Sequence, residues 1–147
     1  MPEKEVLERA RKDKREGKAP STQAGEFVRE EIEHIREGKH GARSAKQAIA
    51  IGLSKARRAG VKLPPPAQGS ASKETREQAA RDLSKAKSPK KKTSAKRSRA
   101  MSRVLKRESS SAASKTALSR HARSAAAKRS AASRSRSAKK AALTRKK

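Results

Sequence analysis

Large apolar side chains are sparse along this chain, and where they gather they repeat with a helical period. Ala24, Phe27, Val28, Ile32 and Ile35 fall on one face of a helix with 3.6 residues per turn. That spacing predicts a helix over about 22–37, with Ser21 or Thr22 as its cap and Gly38 as its stop. Glu26, Glu30, Glu33 and Glu37 form an acidic stripe on another face of the same helix. Upstream, Val6, Leu7 and Ala10 predict a charged helix over 2–16, ended by Gly17 and barred from continuing by Pro20. Downstream lies SAKQAIAIGLSKARRAG, residues 44–60. It opens on a capping box, Ser44 with Gln47, and closes on Gly60 followed by Val61, a Schellman-type end. At 100° per residue, Ala45, Ala48, Ile49, Gly52, Leu53, Ala56 and Ala59 share an arc of about 140°. The small residues in that arc let another backbone approach closely. Lys46, Gln47, Ala50, Ser54, Lys55, Arg57 and Arg58 occupy the rest, with Ile51 among them, so one face is a core and the other is basic.

The period fades after this helix. LPPPAQGSAS, residues 63–72, stiffens the chain at three prolines and loosens it at Gly69 and the serines, which marks a domain boundary. The expected organisation is a small helical domain over 1–66, a flexible linker over 67–72, a charged helix over 73–87 and a Ser/Ala/Lys/Arg-rich tail over 88–147. Of the 18 Val, Ile, Leu, Met and Phe residues, 12 lie in 1–66, enough for a marginal core there and for none in the remainder. Of the 65 residues from 83 to 147, 53 are Ser, Ala, Lys or Arg. Such a composition predicts disorder, although Ala is a strong helix former. Weak helical spacing survives at Met101, Val104 and Leu105, then at Leu118, Ala122 and Ala125. The expected fold is therefore mainly α: about three helices in an N-terminal unit, then a long, mostly disordered tail that becomes helical when its charge is neutralised.

Charge sharpens this division. The net charge is +28; residues 1–66 carry 16 basic and 10 acidic side chains, and residues 67–147 carry 26 and 4. That excess suits a polyanion. No segment approaches the roughly 20 apolar residues of a membrane span, and the N-terminus lacks the apolar run of a secretory signal. The expected location is the cytoplasm, at the nucleoid. With Phe27 the single aromatic residue, base-stacking platforms are excluded. His34, His40 and His121 stand apart in sequence, no Cys is present, and no phosphate loop or dinucleotide fingerprint occurs. No enzyme, cofactor or metal site is expected.

The candidate chemistry is phosphate binding. In the loop GKHGARS, residues 38–44, Lys39, His40 and Arg43 lead into a capped helix N-terminus, with Lys46 one turn inside. Free amides and the helix dipole favour an anion there, although an ordinary polar turn fits the same residues. The helices flanking this loop also allow a helix-turn-helix in which Lys46, Gln47, Ala50, Ser54 and Arg57 face a major groove. Against it stand a connection of about seven residues and the acidic stripe. Arg57 and Arg58 extend the basic face. In the tail, SPKK at 88–91 matches the minor-groove element of linker-histone tails. Lys90, Lys91, Lys92, Lys96, Arg97 and Arg99 are candidate DNA contacts, as are Lys128, Arg129, Arg134, Arg136, Lys139 and Lys140.

The segment GKHGARSAKQAIAIGLSKARRAG resembles an uncharacterised bacterial domain family whose members carry a KQAIAIGLS-x-AR helix, often followed by a basic tail. The resemblance covers residues 24–63 well and the tail by composition; it implies a bacterial or phage source and supplies no catalytic residues. Together these readings predict a non-enzymatic, largely sequence-independent, nucleoid-associated DNA-binding protein of linker-histone-like character. The alternatives are an RNA- or ribosome-associated basic factor, and a protein-interaction module that docks a partner on Glu26, Glu30, Glu33 and Glu37.

Overall fold

Among the described residues, seven α-helices follow one another: α1 (Lys4–Arg15), α2 (Pro20–Arg36), α3 (Ala45–Arg58), α4 (Lys73–Lys87), α5 (Ala95–Arg107), α6 (Lys115–Ala127) and α7 (Ala131–Arg145). A single 3-10 turn, Ser110–Ala113, joins α5 to α6. This is a computed structural model, and it describes residues 2–88 and 94–145.

Helix boundaries follow the local chemistry of the chain. Gly60 (φ 98°) closes α3 in a Schellman turn, with Val61 N–H donating to Ala56 O at 3.1 Å and Gly60 N–H to Arg57 O at 3.0 Å. Gly17 and Gly38 end α1 and α2 in the same way. The start of α2 differs from the expectation. Pro20 does not merely stop α1; it is the first residue of α2, behind Ala19, and neither Ser21 nor Thr22 is the cap. A proline has no N–H to leave unpaired and its φ is already helical, so the first turn is where a helix accepts it.

Two apolar clusters lie on either side of the crossing of α2 and α3. Val6, Ala10, Ala24, Phe27, Ala56 and Val61 form one, lined by Leu7, Leu53 and Leu63. Ile32, Ile35, Ala42, Ala48, Ala112 and Ala113 form the other, with Val28 and Leu118 against it. Between them α2 and α3 touch backbone to backbone. A Cβ built on Gly52 would lie 2.6 Å from Val28 Cα, so only glycine fits there. Helix α4 lies against α3, burying Ala79 and Asp82; Ser54 Oγ donates to Asp82 Oδ2 across the interface.

The second cluster overturns the expectation of a disordered tail. Ala112 and Ala113 are core residues, packed on Ile32 and Ile35 of α2. Backbone hydrogen bonds fix the approach to them. Gly41 N–H donates to Leu105 O at 2.9 Å, Ala42 N–H to Ser109 O at 3.1 Å, and Arg36 Nε–H to Ala113 O at 2.9 Å. Serines that look like low complexity act as helix caps. Ser114 Oγ accepts from Ala117 N–H at the start of α6, and Ser130 Oγ accepts from Ser133 N–H at the start of α7. The composition argument failed because it counted large side chains. Two alanines are enough where the receiving surface already exists, and alanine carries the least cost of helix formation.

Gly41 is the checkpoint of this docking. A Cβ there would stand 1.9 Å from Glu108 O and 2.8 Å from Ser109 O, both backbone atoms. Gly41→Ala is therefore expected to push residues 105–113 off the α2–α3 surface and to cost about 1–3 kcal/mol, the usual price of overpacking. Denaturant unfolding gives the cost, and hydrogen exchange at residues 105–118 reports the release. Unchanged exchange in that segment would mean that it does not dock.

Candidate nucleic-acid interface

Several basic side chains of the N-terminal unit are engaged inside it. Lys39 sits 2.9 Å from a Glu37 carboxylate oxygen and 3.5 Å from Glu3. Its hydrogen bond to Glu37 raises the ammonium above its ordinary pKa, against the opposing effect of desolvation. Arg57 belongs to no exposed face. It is 6% exposed and donates to the carbonyls of Leu63 and Pro64 at 3.2 and 3.3 Å, tying the proline segment to α3. Burial lowers its pKa, opposed by the charge of Asp82. Arg58 is exposed, with its Nε–H directed to Ser54 O and Asp82 3.9 Å away. Arg43 and Lys46 are exposed.

The loop over 38–44 has few amides to offer a phosphate. Those of Gly41 and Ala42 donate to Leu105 and Ser109, and that of Arg43 donates to Gln47 Oε1 at 2.7 Å. Ser44 Oγ accepts from Gln47 N–H, so this helix end is capped by its own side chains. The face of α3 proposed for a major groove is obstructed as well, since Ser54 is bonded to Asp82 of α4 and Arg57 is buried.

The acidic stripe of α2 is not a free docking face. Glu26 accepts from Arg9 Nε–H at 2.6 Å, Glu33 pairs with Arg29 at 3.0 Å, and Glu37 with Lys39. Glu30 is buried, 3.6 Å from Lys55 Nζ, and accepts the Glu3 N–H through Oε1 at 2.6 Å.

The C-terminal helices present the opposite situation. Lys96, Arg97 and Arg99 on α5 are exposed, as are Lys128 and Arg129 and, on α7, Arg134, Arg136, Lys139 and Lys140. Lys90, Lys91 and Lys92 lie outside the described residues, with most of the SPKK motif. Residues 94–145 contain 16 Lys and Arg against Glu108 alone. Among the described residues, none of those 16 is ion-paired. Two shallow grooves mix cations with hydroxyls one helical turn apart: Ser98, Arg99, Ser102, Arg103 and Lys106 on α5, and Lys115, Thr116, Ser119, Arg120 and Arg123 on α6. Arg103, Lys106, Lys115, Arg120 and Arg123 were not singled out by the sequence. Their signal was there, in the i, i+4 spacing of Arg99 with Arg103 and of Lys115 with Ser119 and Arg123.

Sequence separation also concealed a polar cluster. His34 and His40, which looked unrelated, lie with ring centroids 6.4 Å apart. His34 Nε2 is 3.0 Å from Glu3 Oε1, and His40 Nε2 is 3.2 Å from Glu31 Oε1. The His34 contact, with Lys39 adding to it, lowers the Glu3 carboxyl below its ordinary pKa. Among the described residues, no helix is long and apolar enough to cross a membrane.

Residues 7–67 match the model of a family of unknown function, DUF6496. The match runs from within α1 through α3 and the proline segment, and stops short of α4. No curated protein and no solved structure matches the chain.

Arg57 and its neighbours give opposite expectations. Arg57→Ala removes the buried donor that the Leu63 and Pro64 carbonyls share and is expected to destabilise the fold by about 1–3 kcal/mol. Arg43→Ala and Lys46→Ala, at exposed positions, are expected to stay within about 0.5 kcal/mol of the parent. Equilibrium denaturation of the three variants distinguishes a buried tie from a solvated basic face; equal, small effects would place Arg57 on the surface.

Proposed function

We propose that the protein is a non-enzymatic, nucleoid-associated DNA-binding protein that engages duplex DNA largely without regard to sequence, through the helical C-terminal half. One observation carries this reading. The cations of residues 94–145 are exposed with no carboxylate partner among the described residues, whereas Arg9, Lys18, Lys39 and Lys55 of the N-terminal part sit against carboxylates. Like charges crowded on short helices repel one another, and a polyanion relieves that repulsion. The mixed rows on α5 and α6 suit phosphate oxygens: guanidinium forks make paired hydrogen bonds and the hydroxyls add single ones. Neither row offers a built pocket that would read a base edge. The minor-groove use of SPKK and the nucleoid location belong to the same reading.

Fluorescence anisotropy on random-sequence duplex tests it. If 8–10 phosphates are neutralised, the slope of log K against log salt is expected at about −7 to −9. Arg99→Gln, Arg103→Gln and Lys106→Gln together are expected to make that slope shallower by about 3, and to weaken binding to every duplex alike. Arg58→Gln is expected to change it little. A parent slope shallower than about −3 would overturn the multi-phosphate reading. Displacement of duplex DNA by structured RNA at equal nucleotide concentration and fixed salt would assign the surface to RNA instead.

A further inference from the structure

A carboxylate and two imidazoles converge where α2 meets the loop that follows it. Glu31 and His34 lie three residues apart on one face of α2, and His40 comes from the loop. One carboxylate oxygen of Glu31 and one ring nitrogen of each histidine lie within 4.8 Å of one another. His40 Nδ1 is 3.1 Å from Gly41 O, so that nitrogen carries a proton and donates it to the carbonyl. The other nitrogen, Nε2, faces Glu31 Oε1, 3.2 Å away. An imidazole nitrogen and a carboxylate oxygen at that separation can face one cation. Metal-binding histidines are held in this way, with the far ring nitrogen donating to a carbonyl or carboxylate. Glu3, 3.0 Å from His34 Nε2, steadies the second ring.

The charges around the cluster point the same way. Glu30 and Glu31 are 2% and 1% exposed, and Lys55 is the cation placed against both. Its Nζ stands 2.6 Å from Glu31 Oε2, off the angle of a hydrogen bond, and 3.6 Å from Glu30 Oε2. Glu30 Oε2 has no hydrogen-bond partner among the described residues. Two buried carboxylates thus share one ammonium, and an uncompensated buried charge is costly.

We infer that Glu31, His34 and His40 form a binding site for a divalent transition metal of the zinc type. Two imidazoles and one carboxylate select such an ion over calcium or magnesium, and three protein ligands leave a position for water. With the ion on Glu31, Lys55 is free to serve Glu30. The ion also ties the loop to α2, and through the Gly41 and Ala42 amides it braces the docking of residues 105–109. This site is independent of nucleic acid.

The test is titration of the full-length, chelator-stripped protein with Co²⁺, without DNA. The expected result is one equivalent bound, with the intense visible absorption of cobalt at low coordination number, displaced by Zn²⁺. His34→Ala and His40→Ala are each expected to weaken binding by about 100-fold or more, while His121→Ala on α6 leaves it unchanged. Circular dichroism establishes that the variants keep the parent fold; their partly exposed rings carry the test because substitution of Glu31 also disturbs Lys55. No stoichiometric binding at micromolar metal, or parent-like affinity in both His34→Ala and His40→Ala, overturns the site.

Discussion

The contact of α2 with α3 at Val28 and Gly52 is the constraint from which the other features follow. Because no side chain separates the two backbones there, the flanking residues are drawn together in depth. On one side Ala56 meets Phe27 and Ala24; on the other Ala48 meets Ile32 and Ile35. The small residues of α3 are therefore not a sign of weak packing. They set an interhelical distance that larger side chains would forbid. The same proximity brings Lys55, whose side chain leans toward the N-terminus of its helix, to Glu30 and Glu31. Burial of those carboxylates is a consequence of the close crossing.

That crossing also prepares the surface on which the C-terminal half lands. Ile32, Ile35, Ala42 and Ala48 form a shallow apolar patch that α1 to α3 leave uncovered, and Ala112 with Ala113 covers it. The N-terminal unit and the basic half are thus joined through alanine methyls and backbone hydrogen bonds rather than through ion pairs. This matters for charge. A docking interface built from carboxylates would neutralise the cations of the C-terminal half. One built from alanine and main chain leaves them unpaired.

Much of α1 to α3 was legible in the sequence because its signals are local. Periodic apolar positions, the Ser44 and Gln47 cap and the glycine helix ends each depend on residues within a few positions of one another. What was not legible depended on distance along the chain. Nothing in GKHGARS announces that its amides will be used by residues 105–109. Nothing around His34 announces that His40 will turn back beside it, because Gly38 redirects the chain between them. Arg57 looked exposed because a helical wheel knows nothing of the proline segment that later folds over it. The C-terminal half was misread for another reason. Composition measures what a segment can bury alone, and this one buries two alanines on a surface made elsewhere.

For the proposed binding of DNA, an ordered basic half changes the physics of association. A disordered tail loses backbone entropy as it settles on DNA, and that loss is subtracted from every phosphate contact it makes. Helix α6, capped by Ser114 and anchored beside Ala112 and Ala113, has met much of that cost on folding. Its cations stand at fixed spacings, one turn apart, before any anion arrives. The opposing cost is the repulsion among those same cations in the free protein, borne continuously by the fold. That repulsion weakens with salt, as does the attraction of the cations for phosphate. The two effects act in opposite directions: low salt favours the bound helices and strains the free ones. Docking of Ala112, Ala113 and Leu118 on an apolar, salt-insensitive patch holds α6 in place across that range, so that its charge pattern and the contact that positions it respond to different conditions.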